Sequence, residues 1–369
     1  MPVINSSSTI RGLTVSAYTV PTDFPESDGT LKWDSTTLVL VHASVNDKDK
    51  VGVGYTYGDL ATAELISHTL IPIVRGSDAM NIPNCWSAMR HAIRNLGRPG
   101  ICSMAISAVD SALWDLKAKL LNLPLVTLLG ADQSSIDIYG SGGFTSYSDD
   151  QLRKQLGGWA EQGIKAVKMK IGREPERDVS RVKVAREAIG ADVALYVDAN
   201  GAYSRKQALY MAEKFTEFDV TWFEEPVTSD DLEGLRLIRD RAPVGMDIAA
   251  GEYGYDLPYF KRMIDAGAVD VQQADATRCA GISEFLRVGA LCDAANMPMS
   301  AHTSPSIHLH PCCALSRLRN IEYFHDHVRI ENMFFDGVIQ PVDGRLHPDL
   351  SRPGIGLEFK KADAERYAA

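Results

Sequence analysis

The chain has 369 residues, 45% hydrophobic and 23% charged, which is the make-up of an ordinary globular protein with room for a large core and two or so domains. Its net charge of −10 and pI near 5.4 argue against nucleic acid or an anionic membrane surface as the natural partner. No apolar run approaches the roughly 20 residues needed to span a bilayer.

The first eight residues, Met1-Pro-Val-Ile-Asn-Ser-Ser-Ser, carry neither the basic nor the apolar region of a secretory signal. Cys85, Cys102, Cys279, Cys292, Cys312 and Cys313 form no framework spacing, so they are expected to be buried free thiols of a reducing cytoplasm. Stretches 10–20, 36–43 and 51–57 read as strands from their β-branched and aromatic alternation. Helices are expected near 60–72, 84–95 and 102–122, the last with Ala105, Val109, Ala112, Leu113, Leu116 and Leu120 at helical spacing. Strands followed by helices predict an α+β domain over 1–130. Its segment 22–33 is long and polar and carries a Gly and a Pro, as a mobile lid would.

From 131 to 325 the pattern changes to strict alternation. Short apolar runs begin near 136, 166, 194, 222, 244, 269, 298 and 320, with helical segments between them. Eight rounds, with no Gly-x-Gly-x-x-Gly to open them, predict a closed parallel (β/α)₈ barrel rather than an open sheet. Residues 326–369 show no further unit and are expected to wrap back onto the first domain.

Asp198, Glu224 and Glu252 stand 26 and 28 residues apart, each at the tail of an apolar run. That spacing is one strand, one helix and two loops, so the three acids meet at the barrel mouth. Three carboxylates without cysteine or histidine make a hard oxygen site suited to Mg²⁺. Lys168 and Lys170 sit at i and i+2 of the second strand and share a face. Burial and mutual repulsion would lower the pKa of such a lysine from about 10.4 toward roughly 7 to 8, where it serves as a general base. Asp198 and Asn200 form another i, i+2 pair, and of Glu224 and Glu225 only one is expected to point inward. The sixth and seventh strands end in Asp275 and His302, close enough for the acid to fix the imidazole tautomer and raise its basicity. Glu322 on the eighth strand could polarise a substrate oxygen as a carboxylic acid or through a hydrogen bond. His308-Leu-His310 raises zinc hydrolysis, but it leads into a helix expected over 306–319, where i and i+2 do not share a face.

Taken together, Lys168-x-Lys170, Asp198-x-Asn200, Glu224-Glu-Pro226, Gly251-Glu252, Asp275 and His302 resemble the mandelate racemase subgroup of the enolase superfamily. The resemblance covers nearly the whole chain, including the run from Ala108 to Lys117, and implies a modified TIM barrel with an N-terminal α+β capping domain. It implies Mg²⁺ on Asp198, Glu224 and Glu252, with Lys170 as base and Lys168 against the substrate carboxylate. It also implies an Asp275–His302 dyad on the opposite face, Glu322 as electrophile and Asn200 near the substrate. Substrate-binding residues in the capping segments 22–33 and 52–59 would include Trp33 and Tyr57. The shared step is removal of a proton α to a carboxylate, giving an enediolate. Its outcome is either dehydration of an acid sugar to a 2-keto-3-deoxy acid or racemisation or epimerisation of a 2-hydroxy acid. A metal- or sugar-acid-binding barrel without turnover is the reading of another class, and the pair of bases speaks against it. The acids of the lid (Asp23, Glu26 and Asp28) favour a monoacid over a diacid sugar. Oligomerisation is expected from the resemblance alone.

Overall fold

The computed structural model describes residues 8–45 and 50–369, so the reading of the extreme N-terminus falls outside the described residues. Strands β1 (Gly12–Ser27), β2 (Lys32–Ser44) and β3 (Val51–Tyr57) form an antiparallel sheet in that order. Successive side chains of a strand point to opposite faces, and β2 uses both. Val39 and Val41 pack into the core shared with helix Ile101–Leu120, whereas Leu38 and Leu40 face the core that continues into the barrel.

The segment expected as a loop over 22–33 is for the most part a continuation of this sheet. β1 runs on to Ser27 and β2 starts at Lys32, with Glu26 opposite Trp33 and a register irregularity between Pro21 and Glu26. Pro21 and Pro25 interrupt the alternation, and the polar residues here face barrel loops rather than a core, so the strand signal is lost.

The barrel consists of β4 (Ile136–Gly142), β5 (Ala166–Lys170), β6 (Ala194–Asp198), β7 (Val220–Glu224), β8 (Asp247–Ala250), β9 (Val271–Ala274), β10 (Met299–Ala301) and β11 (Leu318–Phe324). All eight are parallel to their neighbours, and β11 closes on β4 with Glu322 opposite Tyr139. Tyr139, Tyr196 and Trp222 fill the interior with Ala166, Ala249 and Val271, making a packed floor rather than a pore. Tyr196 stacks on Trp222 at 5.1 Å.

Three elements differ from expectation. The fifth strand begins at Asp247 rather than near 244, because Gly245 has φ +97° and Val244 is fully exposed in the preceding turn. The helix after the seventh strand ends at Cys313, not 319, and β11 starts at Leu318. The stretch beyond 325 opens with helix His325–Phe334, which hides its pattern by burying Asp326, His327 and Glu331 beside Ile330 and Phe334.

After that helix, β12 (Phe335–Asp336) pairs with β14 (Glu358–Phe359), while β13 (Arg345–Leu346) adds to β4. The Ala369 N–H donates to Ala17 O at 3.0 Å, so the chain end lies on β1. The six cysteines are buried and unpaired. No helix among the described residues is long and apolar enough to cross a membrane.

Candidate active site

The C-terminal ends of the barrel strands bring the predicted residues into one buried cluster. Asp198 and Glu224 are the last residues of β6 and β7, and Lys168 and Lys170 lie on β5. Glu252 stands two residues past β8, beyond Gly251, whose φ is +140° and whose added Cβ would lie 2.0 Å from Gln273 O. Only glycine lets the chain turn there and deliver Glu252 to the mouth. Gly251→Ala is expected to cost about 2 to 5 kcal/mol in chemical denaturation and to remove Glu252 from its place.

One carboxylate oxygen from each of Asp198, Glu224 and Glu252 lies within 4.8 Å of the others, and all three residues are buried. Lys168 Nζ reaches Glu224 Oε1 (2.5 Å), Glu322 Oε1 (2.8 Å) and Asp198 Oδ2 (3.4 Å). Lys170 Nζ donates to Asp198 Oδ2 at 2.5 Å. The expected lowering of the lysine pKa values is therefore reversed. Burial lowers both, and Lys168 lowers Lys170, but the surrounding carboxylates outweigh these effects and hold both ammonium groups above the ordinary lysine value.

His302 Nδ1 lies 2.8 Å from Asp275 Oδ2, and its Nε2 faces Glu252 Oε2 at 3.3 Å and Glu322 Oε2 at 3.7 Å. Burial opposes a charge on the ring, but Glu252, Glu322 and the bond to Asp275 raise its pKa to about 9. Asp275 is fixed in turn by the Thr277 N–H and Oγ1–H, both at 2.7 Å from Oδ1. Glu322 accepts from Ser141 Oγ (2.6 Å) and the Thr303 N–H (3.2 Å). Although burial favours its neutral form, Lys168 and His302 pull it down to about 2. Glu322 is an anion here, not the carboxylic acid considered from sequence, because an ammonium sits against it.

Both acids of Glu224-Glu225 are buried, against the expectation of one. Glu225 adopts φ +37°, so the chain leaves the strand geometry that would send alternate side chains apart. Its Oε1 has no hydrogen-bond partner, and burial followed by the charges of Glu252 and Asp198 holds its pKa well above the ordinary glutamate value. Asn200 is turned in the same way (φ +45°), its N–H donating to Asp198 Oδ1 at 2.8 Å and its own Oδ1 unpartnered. Asn200 and Glu225 line a cavity of about 550 Å³ beside the acids, together with Tyr253 and Tyr259.

The capping residues are placed differently. Trp33 Nε1 donates to Glu26 Oε2 (2.9 Å), and its ring meets Phe144 edge-on. Tyr57 stacks on His327 with centroids 3.5 Å apart, and its hydroxyl reaches His327 O. Sequence reasoning also missed Arg278, which ties Glu252 Oε1 (3.3 Å) to Asp275 Oδ2 (3.7 Å); no spacing marks a loop arginine of this kind. His308 accepts the Ala276 N–H at Nε2 (2.8 Å) and has Nδ1 2.8 Å from Thr303 O, so both ring nitrogens are used in bracing the dyad. His310 is likewise engaged, with Val126 N and Ile355 O, and the pair holds no metal geometry.

Asp198, Glu224, Glu225, Glu252, Asp275 and Glu322 outnumber Lys168, Lys170, Arg278 and His302. Without a further cation, burial and the neighbouring acids push Glu224 up to about 8 and Glu225 well above its ordinary value, so the buried set reaches its full negative charge only with a cation among its members. An all-oxygen set of this kind fits a hard divalent ion. A closed barrel with such a mouth under a sheet-and-helix cap defines a class of metal-assisted barrel enzymes.

Residues 151–364 match the family model for the enolase C-terminal domain-like fold, and residues 25–130 that for the mandelate racemase / muconate lactonizing enzyme N-terminal domain. The chain belongs to the enolase superfamily, in its mandelate racemase subgroup. It is 33% identical over 337 residues to L-talarate/galactarate dehydratase of Salmonella typhimurium, covering 88% of this chain and 82% of that protein. The structure of that dehydratase liganded with Mg and L-lyxarohydroxamate superposes with a TM-score of 0.88 at 29% identity, covering 98% of this chain and 93% of that one. The chain is also 32% identical over 330 residues to 3,6-anhydro-alpha-L-galactonate cycloisomerase of Streptomyces coelicolor, covering 87% and 90% of the two. A mandelate racemase/muconate lactonizing enzyme-like protein from Rubrobacter xylanophilus superposes with a TM-score of 0.95 at 54% identity, covering 98% and 100%. The protein is thus an enzyme, and Mg²⁺ is its cofactor.

Proposed function

We propose that this enzyme dehydrates a monocarboxylic acid sugar to a 2-keto-3-deoxy acid. The observation that carries the reading is the meeting, in one buried mouth, of three carboxylates with Lys170 at the end of β5 and the Asp275–His302 pair at the ends of β9 and β10. Asp198, Glu224 and Glu252 would hold Mg²⁺, which when bound supplies Lewis-acid charge to the substrate carboxylate worth several kcal/mol. Lys168 faces that carboxylate. One of Lys170 and His302 takes the α-proton in its neutral form, which would become accessible once Mg²⁺ offset the carboxylates that otherwise keep both groups protonated, and the electron pair left behind delocalises into the carboxylate as an enediolate. The other gives a proton to the departing β-hydroxyl, which leaves as water, and the resulting enol ketonises. Asp275 keeps the imidazole oriented for this transfer. Glu322, anionic and fixed by Ser141 and Thr303, accepts a hydrogen bond from a substrate hydroxyl.

A monoacid is favoured because Arg329, the guanidinium beside the lid acids, is already paired with Asp23 (3.5 Å) and Asp326 (3.2 Å). A second substrate carboxylate there would meet Glu26, Asp326 and Asp23. Bases on two strands also support a second reading, reprotonation from the opposite face to give the epimer. Proton NMR in D₂O with Mg²⁺ over mono- and diacid sugars separates the two. Loss of the α-proton signal with a new 3-deoxy-2-keto product is expected; exchange with the skeleton intact would make the enzyme an epimerase.

A further inference from the structure

The tip of the β1–β2 hairpin lies on the barrel mouth. A Cβ added at Gly29 would stand 2.3 Å from Ala199 O and 2.8 Å from Ile171 O, so the tip is in direct backbone contact with the ends of two barrel strands. Arg173 donates to Asp28 O (2.9 Å) and Leu31 O (2.6 Å), and Thr145 Oγ1 donates to Asp28 O (2.9 Å). These bonds hold main-chain oxygens. Another contact between lid and barrel brings two carboxyl groups together.

Glu26, from the lid, and Asp326, from the first turn of helix His325–Phe334, are 1% and 0% exposed. Oxygens of the two carboxyl groups lie within 4.8 Å of each other and of the His325 ring. Glu26 Oε2 accepts from Trp33, but its Oε1 has no partner. Asp326 accepts from Thr36 Oγ1 at Oδ2 (3.1 Å) and from Arg329 at Oδ1 (3.2 Å). Two buried carboxyl groups this close cannot both ionise. Burial, and then the charge of Asp326, push Glu26 up to about 9. The other ionisable groups facing the pair are His325 and Arg329 from the helix, Asp23 from the lid strand and Tyr147 from the loop after β4. A cation could also join the two acids, but Arg329 already neutralises Asp326, and His325 Nε2 is taken by Asp23 at 3.2 Å.

We propose that Glu26 and Asp326 share one proton, with Glu26 Oε1–H donating to the Asp326 carboxylate, and that this pair latches the lid and its Trp33 onto the barrel. Glu26 is then a positioning residue. When the lid lifts, Glu26 meets water and returns to the ordinary glutamate pKa, so closure takes up a proton. The latch contributes fully below that ordinary value, and its contribution falls as pH rises toward about 9.

Hydrogen exchange of the full chain without substrate, corrected for intrinsic chemistry, reads this directly and independently of the catalytic reading. In the wild type, protection of residues 22–35 is expected to fall by up to about tenfold per pH unit between pH 6 and 8. In Glu26→Gln the new amide can still donate to Asp326 and accept from Trp33, and the protection is expected to be flat with pH. Asp326→Asn is expected to be flat as well, which guards against a folding defect in the first variant. A slope that survives in both variants, or a wild-type lid with no slope, would overturn the shared proton. Protection that responds to Mg²⁺ or a chelator at fixed pH, with Lys170 and its neighbours unchanged, would place a cation there instead and overturn it equally.

Discussion

Lys170→Ala and His302→Asn are each expected to lower turnover by about 10² to 10⁴-fold, the usual worth of a positioned general acid or base, and to differ in what they do to the α-proton. Lys170 ends β5 and His302 follows β10, with the acid cluster and Glu322 between them. Neither is free to swing: Lys170 is held by Asp198, and His302 by Asp275 and the backbone behind it. A dehydratase uses one as base and the other as acid. The variant lacking the base should show neither α-deuterium incorporation nor product. The variant lacking the acid should wash deuterium into the substrate without eliminating water. If each variant instead loses exchange from one configuration of the α-carbon only, the two groups are a racemase pair. Full turnover in either variant would remove that residue from the chemistry. Asparagine is the better replacement for His302, because it can keep a hydrogen bond to Asp275 and so isolates loss of the proton-transferring nitrogen.

The residues at the strand ends were legible because a barrel converts a one-dimensional spacing into a ring. Once eight alternations are counted, an acid at the tail of one apolar run must stand beside the acid at the tail of the next. The local backbone was less legible. Gly251 carries Glu252 past the end of β8, and the left-handed conformations of Asn200 and Glu225 turn two more polar side chains to the acid cluster. Strand parity therefore misjudged Glu225, since parity fails where the strand stops. The electrostatics were misread for a related reason. The i, i+2 lysine pair was visible, but the carboxylates that oppose the repulsion come from four other strands, and only the closed barrel sets Glu224 2.5 Å and Glu322 2.8 Å from Lys168. Helix His325–Phe334 was hidden by the polar residues it buries, among them Asp326 and the Glu331 that accepts from Tyr55 at 2.6 Å. Such residues belong to contacts between cap and barrel, and no local pattern announces a partner 276 residues away.

Removal of Mg²⁺ is expected to abolish activity reversibly and to lower the midpoint of thermal unfolding. With the ion at about a hundred times its dissociation constant, binding to the folded state alone stabilises by roughly 2.7 kcal/mol, which for a chain of this size is about 3 to 4 °C. Six carboxyl groups converge on two lysines, one arginine and one imidazole, and Glu225 Oε1 accepts no hydrogen bond. Each lysine is already engaged, so a further cation would relieve repulsion among the acids rather than displace a satisfied pair. Glu252→Gln keeps the volume and removes one charge. It should therefore lose most of the Mg²⁺-dependent rise in melting temperature, and it should be less stable than the wild type in chelator as well, because Arg278 and His302 lose a counter-charge. Glu224→Gln should lose the rise too, but with a smaller loss of stability in chelator, because burial and the neighbouring acids already push Glu224 up to about 8 despite Lys168. Calorimetry with Mg²⁺ and with chelator distinguishes these cases. If both variants kept the full Mg²⁺ shift, the ion would have to be held elsewhere than by Glu224 and Glu252.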